Sequence, residues 1–88
     1  MKVENMINNR NNVVKNQFKI YSKNATYFQS YNSIIAVRNK KTDKITLDSY
    51  YWDYSVTTGK YRNAFLGENI YATRDKIEKG KYILKDLN

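Results

Sequence analysis

Few residues of this chain could do chemistry, and cations and aromatics lead them. Lys40, Lys41 and Lys44 fall in one polar stretch, Lys60 and Arg62 in a second, and Arg74, Lys76, Lys79 and Lys81 in a third. Clustered Lys and Arg neutralise backbone phosphates and release the counterions condensed on them. The aromatics are densest over Tyr50-Tyr51-Trp52-Asp53-Tyr54. Aromatics interleaved with cations on a sheet can stack bases, and they also make protein-interface hot spots. Other roles compete for the same residues. Trp52, the only Trp, reads as core beneath a helix, whereas Tyr51 and Tyr31 read as surface. Asp75 and Glu78 lie among the third group of cations, so part of that group reads as an ordinary solvated helix face. The candidate nucleic-acid or partner-binding residues are Lys40, Lys41, Lys44, Tyr51, Lys60, Arg62, Arg74 and Lys76.

Catalytic constellations fail by inventory. The chain has no His and no Cys. That removes the usual general base, the thiol nucleophile and zinc held by Cys and His. The eight carboxylates are scattered, and nothing carries the local signature of a Ser-Lys pair. Asp48 and Asp53 are close enough in sequence to suggest a magnesium site. The simpler reading pairs Asp48 with a neighbouring Lys and sets Asp53 on a helix-start N–H of Thr57 or Thr58. Thr57-Thr58-Gly59-Lys60 evokes a phosphate loop, but that loop needs an earlier Gly and a Ser or Thr after the Lys. Here no Gly precedes Gly59, and Tyr61 follows Lys60. A helix start flanked by Lys60 and Arg62 could still hold one phosphate. The expectation is a binding protein rather than an enzyme, with no cofactor and no metal.

With 88 residues the chain makes one small domain. Nine Tyr, three Phe and one Trp supply core area that a disordered chain lacks. No apolar run reaches membrane-spanning length, so a soluble cytoplasmic protein with no membrane contact is expected. Sixteen basic residues oppose eight acidic ones, a net charge of +8. Such a surplus favours a polyanionic partner; the competing reading is that it only keeps a small protein soluble. Twelve Asn and no Pro suggest an AT-rich coding sequence, as in a low-GC bacterium or its phage.

The elements must position these residues. Residues 1–16 read as an Asn-rich N-terminal arm, mobile or ordered by a partner, with a short helix from Glu4 as another option. Residues 17–88 read as one α+β domain. Strands are expected from Gln17 to Tyr21, Thr26 to Tyr31 and Ser33 to Arg38, the last apolar on both sides and central. Asn39 to Lys44 is a polar turn, and Ile45 to Asp48 completes the best hairpin of the chain. Tyr50 to Ser55 alternates like a further strand. Thr57 or Thr58 would cap a helix whose Tyr61, Ala64 and Phe65 face the sheet, with Lys60, Arg62 and Asn63 in water and Gly67 as its stop. Thr73 would cap a second helix ending at Gly80, and Lys81 to Leu87 forms a last strand. The sum is an antiparallel sheet of three to five strands with one or two short helices on one face; a small barrel capped by helices is the competing arrangement.

Tyr51-Trp52-Asp53-Tyr54-Ser55, Thr57-Thr58, Lys60-Tyr61 and Phe65-Leu66-Gly67 carry a resemblance. So do Phe28-Gln29-Ser30-Tyr31-Asn32 and Lys79-Gly80-Lys81-Tyr82. From Tyr27 to Leu87 the chain resembles a family of small proteins of phages of Gram-positive bacteria, a family without an assigned activity. The resemblance transfers no functional residue and implies a phage accessory protein in the host cell. Three functions follow as expectations. The first is an anti-CRISPR-like inhibitor, binding a host nucleoprotein effector stoichiometrically at its RNA, its DNA or an acidic patch. The second is a nucleic-acid-binding protein for phage transcription or replication. The third is a phage structural or assembly component. The oligomeric state stays open.

Overall fold

The computed structural model describes residues 1–88. Six strands form one sheet in chain order: β1 Lys2–Ile7, β2 Val13–Tyr21, β3 Ala25–Ser30, β4 Ser33–Asn39, β5 Ile45–Asp48 and β6 Tyr82–Lys85. Between β5 and β6 the chain makes two helices, α1 Val56–Leu66 and α2 Ile70–Glu78. The first five strands are an antiparallel meander, and β6 joins β5 in parallel. The α+β class holds, but the sheet is larger than three to five strands and mixed. Returning through two helices lets the chain re-enter at the end where β5 began, which a tight hairpin cannot do.

The expected N-terminal arm over residues 1–16 is instead β1, its loop and the start of β2. Its Asn residues shape backbone rather than disorder it. The Asn8 side-chain oxygen accepts from the N–H groups of Arg10 and Asn12. Asn11 and Asn16 both sit at φ 64°, a left-handed conformation Asn tolerates better than most residues. The Asn5 amide donates to the Val14 carbonyl across the hairpin at 3.0 Å.

Register sorts the sheet into two faces, because directly paired residues share a side. Phe28, Ala36 and Leu47 are successive partners and fully buried. β4 takes an extra residue against β3, so Ile34 pairs with Gln29 and Ala36 with Phe28. This bulge lets Ile35 and Ala36 both reach the core, which strict alternation forbids. α1 covers this face with Tyr61 and Phe65, and the Phe65 ring lies 5.8 Å from that of Phe28. Ser55, not Thr57 or Thr58, caps α1 by accepting from the Thr58 N–H. Buried Thr58 is then free to bond Ser30 of β3 at 2.9 Å. Gly67 ends the helix at φ 71°. Asn69 caps α2, four residues before the expected Thr73.

Tyr50–Ser55 is a loop rather than a strand, and the reason is Asp48. Its buried carboxylate accepts from the N–H groups of Tyr50 and Tyr51 on one oxygen, and from Leu87 N–H and the Asn88 amide on the other. The chain therefore turns where alternation would have carried it on. The expected Asp48–Lys pair is replaced by these four donors. Burial pushes the Asp48 carboxyl up, but the donors from Leu87, Tyr51, Asn88 and Tyr50 outweigh it and hold the group below its ordinary range. A depressed carboxyl stabilises the fold above its unfolded pKa, and that contribution is lost as pH falls through the folded value. Asp48→Ala should therefore cost about 3 kcal/mol near neutral pH, the scale of charge-assisted hydrogen bonds left unmade. In urea melts across pH, wild type should lose stability faster than the variant below about pH 4. Parallel acid limbs would refute this role.

Candidate anion-binding surface

In a meander, successive connections alternate between the two ends of the sheet. The β2–β3 turn (22–24) and the β4–β5 loop (40–44) therefore share an end. Register places two further segments there. Tyr82 pairs with Ile45, so Lys81 enters beside Lys44, and Lys2 pairs with Tyr21 at the edge. Lys2, Lys23, Lys40, Lys41, Lys44 and Lys81 thus share one end of the sheet.

Local hydrogen bonds make this end definite. Asn39 accepts on its side-chain oxygen from Lys41 and Thr42 N–H, at 2.9 and 3.0 Å. Its own carbonyl takes Asp43 N–H, and Asp43 adopts φ 61° to close the loop. Ser22 closes the other turn by exchanging hydrogen bonds with Ala25. Lys40 joins the two turns: its N–H donates to Asn24 O, and its ammonium to Ser22 O. Between them lies a groove of about 480 Å³ lined by Lys23, Asn24, Asn39, Lys40, Lys41 and Thr42, with no apolar residue. Asp43, the one carboxylate of the loop, is turned to Arg38 at 3.6 Å. Lys23, Lys41, Lys44 and Lys81 belong to no ion pair. Ammonium, amide and hydroxyl donors around a polar groove are the donor set that phosphate oxygens accept from.

The sequence-derived candidates divide. Lys40, Lys41 and Lys44 lie at this end. Lys60 is exposed on α1 over its neighbour Tyr61, by a separate depression that Asp53, Arg62 and Arg74 also border. Arg62 does not face water. It is 1% exposed, donates to Trp52 O and Asp53 at 2.9 and 3.0 Å and to the Asn63 side chain, and lies 5.4 Å from the Trp52 ring. Asp53 is therefore committed to Arg62, and to Arg74 at 3.6 Å, not to a helix-start N–H. Lys76 is engaged by Glu68, which also accepts from Thr73 and Tyr82. Burial pushes the Glu68 carboxyl up, but the donors from Lys76, Thr73 and Tyr82 hold it below its ordinary range. Tyr51 is half-buried, stacked edge-on with Tyr50 and Tyr54. Trp52 is half-buried against the core rather than within it. Ala64 is exposed, so α1 turns Arg62 inward in its place. Sequence reasoning missed Lys23. Its turn was legible, but its nearness to Lys40 needs the sheet order.

A family of unknown function, DUF8033, matches residues 1–83. The chain belongs to DUF8033. The DUF8033 match begins at the first residue, so β1 and the Asn-rich loop lie inside the family's domain. Searches of the curated proteins and of the solved structures return no match. No helix is long and apolar enough to cross a membrane.

Because Arg62 is a buried strut, Arg62→Ala should lower stability by about 2 kcal/mol, the scale of hydrogen bonds from a charged group lost together with its packing. Lys60→Ala, one exposed position nearby, should change it by less than about 0.5 kcal/mol. Chemical melts of the two variants check this, and equal small effects would mean that the Arg62 contacts carry no stability.

Proposed function

We propose that this DUF8033 protein acts by stoichiometric, non-catalytic binding of a nucleic-acid backbone, free or within a nucleoprotein, through its lysine end. One observation carries the reading. Unpaired lysines from separate segments converge on one end of the sheet, while the carboxylate nearest them is taken by Arg38. Like charges gathered without counter-charges cost stability, and a polyanion relieves that cost. Lys40 fixes the scaffold, and Lys23, Lys41 and Lys44 present exposed ammonium groups that contact phosphates without reading sequence.

The likeness to small phage proteins supports an accessory role in a host bacterial cell. Within that role, an anti-CRISPR-like inhibitor would use the lysine end on the guide RNA or target DNA of a defence effector and block it sterically. The alternative is a protein that binds free nucleic acid during phage transcription or replication. Pull-down from host lysate after nuclease treatment separates them: a retained protein partner favours the inhibitor, and loss of all partners favours free nucleic acid.

Fluorescence anisotropy with labelled oligonucleotides across salt tests the shared claim. Affinity should fall steeply with salt. The triple variant Lys23→Gln, Lys41→Gln, Lys44→Gln should reduce the log–log slope by about 2, given roughly 0.7–0.9 per phosphate contact. Lys60→Gln should leave the slope unchanged. A flat salt response in wild type, or a triple variant that binds as well, would refute the reading.

A further inference from the structure

Single-stranded nucleic acid is held by two features set side by side: cations that follow the backbone, and rings on which the bases stack. This fold puts the two apart. Its exposed rings are Tyr31, Tyr50, Tyr54 and Tyr71. Tyr31 lies in the β3–β4 turn, and Tyr50 and Tyr54 in the loop after β5, at the end of the sheet opposite the lysines. The seven residues of β4 separate the two ends by about 20 Å. Tyr71 is on α2. Two further rings lie near the lysine end, and both are engaged. The Tyr21 hydroxyl donates to Glu4 at 2.7 Å, with the Lys2 ammonium 6.0 Å from the ring. The Tyr82 hydroxyl donates to Glu68 at 3.0 Å, with the Lys76 ammonium 5.3 Å from the ring. The groove between the turns has no aromatic lining. A polyanion at this end meets ammonium, amide and hydroxyl donors and no stacking platform.

The cations there form two sets. Lys23 and Lys41 border the inter-turn groove, with Asn24, Asn39 and Thr42 beside them. Lys44 and Lys81 make the second set. They precede Ile45 and Tyr82, which are partners in parallel strands, so they enter β5 and β6 side by side. All four are exposed and belong to no ion pair. The groove runs from the β2–β3 turn to the β4–β5 loop, so its middle falls between β3 and β4. The second set falls between β5 and β6, two strand spacings away, or about 10 Å. Lys40 ties the two turns together, so the groove is formed before any ligand arrives.

One nucleic-acid backbone occupies the inter-turn groove and leaves Lys44 and Lys81 for a second. A double helix supplies a second backbone at a fixed distance. In B-form DNA the major groove is about 12 Å wide and the minor about 6 Å, so the spacing of the two sets matches the major groove better. Duplex DNA also carries a charge every 1.7 Å or so, twice the density of one strand, and its bases need no ring to stack on. We propose, resting on the phosphate reading of this end, that it holds double-stranded DNA across the major groove, one backbone between the turns and the other on Lys44 and Lys81.

Competition against a labelled DNA duplex of two helical turns, read by fluorescence anisotropy at low salt, tests this. An unlabelled duplex of unrelated sequence should compete equally. The single strand of the same sequence should need at least about tenfold more. Duplex RNA should as well, because its A-form major groove is deep and narrow. The double variant Lys44→Gln, Lys81→Gln should weaken duplex binding at least about fivefold and change single-strand binding by less than about twofold, with an unchanged circular dichroism spectrum. Lys23→Gln with Lys41→Gln should weaken both. If none of these nucleic acids binds, the duplex proposal falls together with the phosphate reading. A single strand that competes as well as the duplex overturns the duplex proposal alone and leaves phosphate binding standing. So does a Lys44→Gln, Lys81→Gln protein that loses both forms alike. Duplex RNA competing equally overturns the major-groove assignment and the proposal with it.

Discussion

Alternation of ends along an antiparallel meander is the constraint on which the rest of this structure depends. Once β2 to β5 pair in chain order, the second and fourth connections must meet at one end. The return through α1 and α2 brings the start of β6 to that same end. Lysines scattered through the sequence become neighbours as a consequence of topology. Their mutual repulsion is softened by water and salt, which screen exposed charges beyond about 8 Å at physiological ionic strength. The Lys40 bonds to Ser22 and Asn24 hold the two turns together against that repulsion.

The opposite end is organised by the reverse device, one buried anion among neutral donors. Asp48 gathers the loop after β5 and the tail after β6, and Asn88 passes the tie on to both backbone groups of Ile34 in β4. Each contact is local, yet together they fix where β5 stops and how the chain enters α1. Arg62 continues this order by binding the carbonyl of Trp52 and the carboxylate of Asp53 from the helix side. Arg62 near this end is thus structural, whereas Lys23, Lys41, Lys44 and Lys81 at the other end belong to no ion pair. A net charge of +8 does not show this division; the ion pairs do.

The parts of the fold legible in the sequence were those encoded locally. The hairpin around Asn39–Lys44, the apolar β4, the Tyr61 and Phe65 contacts and the Gly67 stop each follow from a short pattern. What stayed hidden depended on partners distant in the chain. Asn-rich residues 1–16 look like an arm because Asn has low strand propensity, but pairing with β2 and left-handed turns at Asn11 and Asn16 override it. Tyr50–Ser55 alternates perfectly and still forms a loop, because Asp48 finds donors nearly forty residues away at Leu87 and Asn88. Arg62 reads as surface on charge alone, and only the Trp52–Asp53 loop above it explains its burial. At the site, Lys40, Lys41 and Lys44 were legible as one turn. Lys23 and Lys81 join them only through sheet order.

The most direct test of the central claim is residue-resolved. An oligonucleotide titrated into ¹⁵N-labelled protein reports, through amide shifts, which residues the polyanion touches. The account predicts changes concentrated at Ser22–Asn24, Asn39–Lys44 and Lys81, which vanish at high salt, with α1 and the Asp48 loop undisturbed. Shifts centred on Lys60 and Arg74, or spread evenly over the surface, would contradict it.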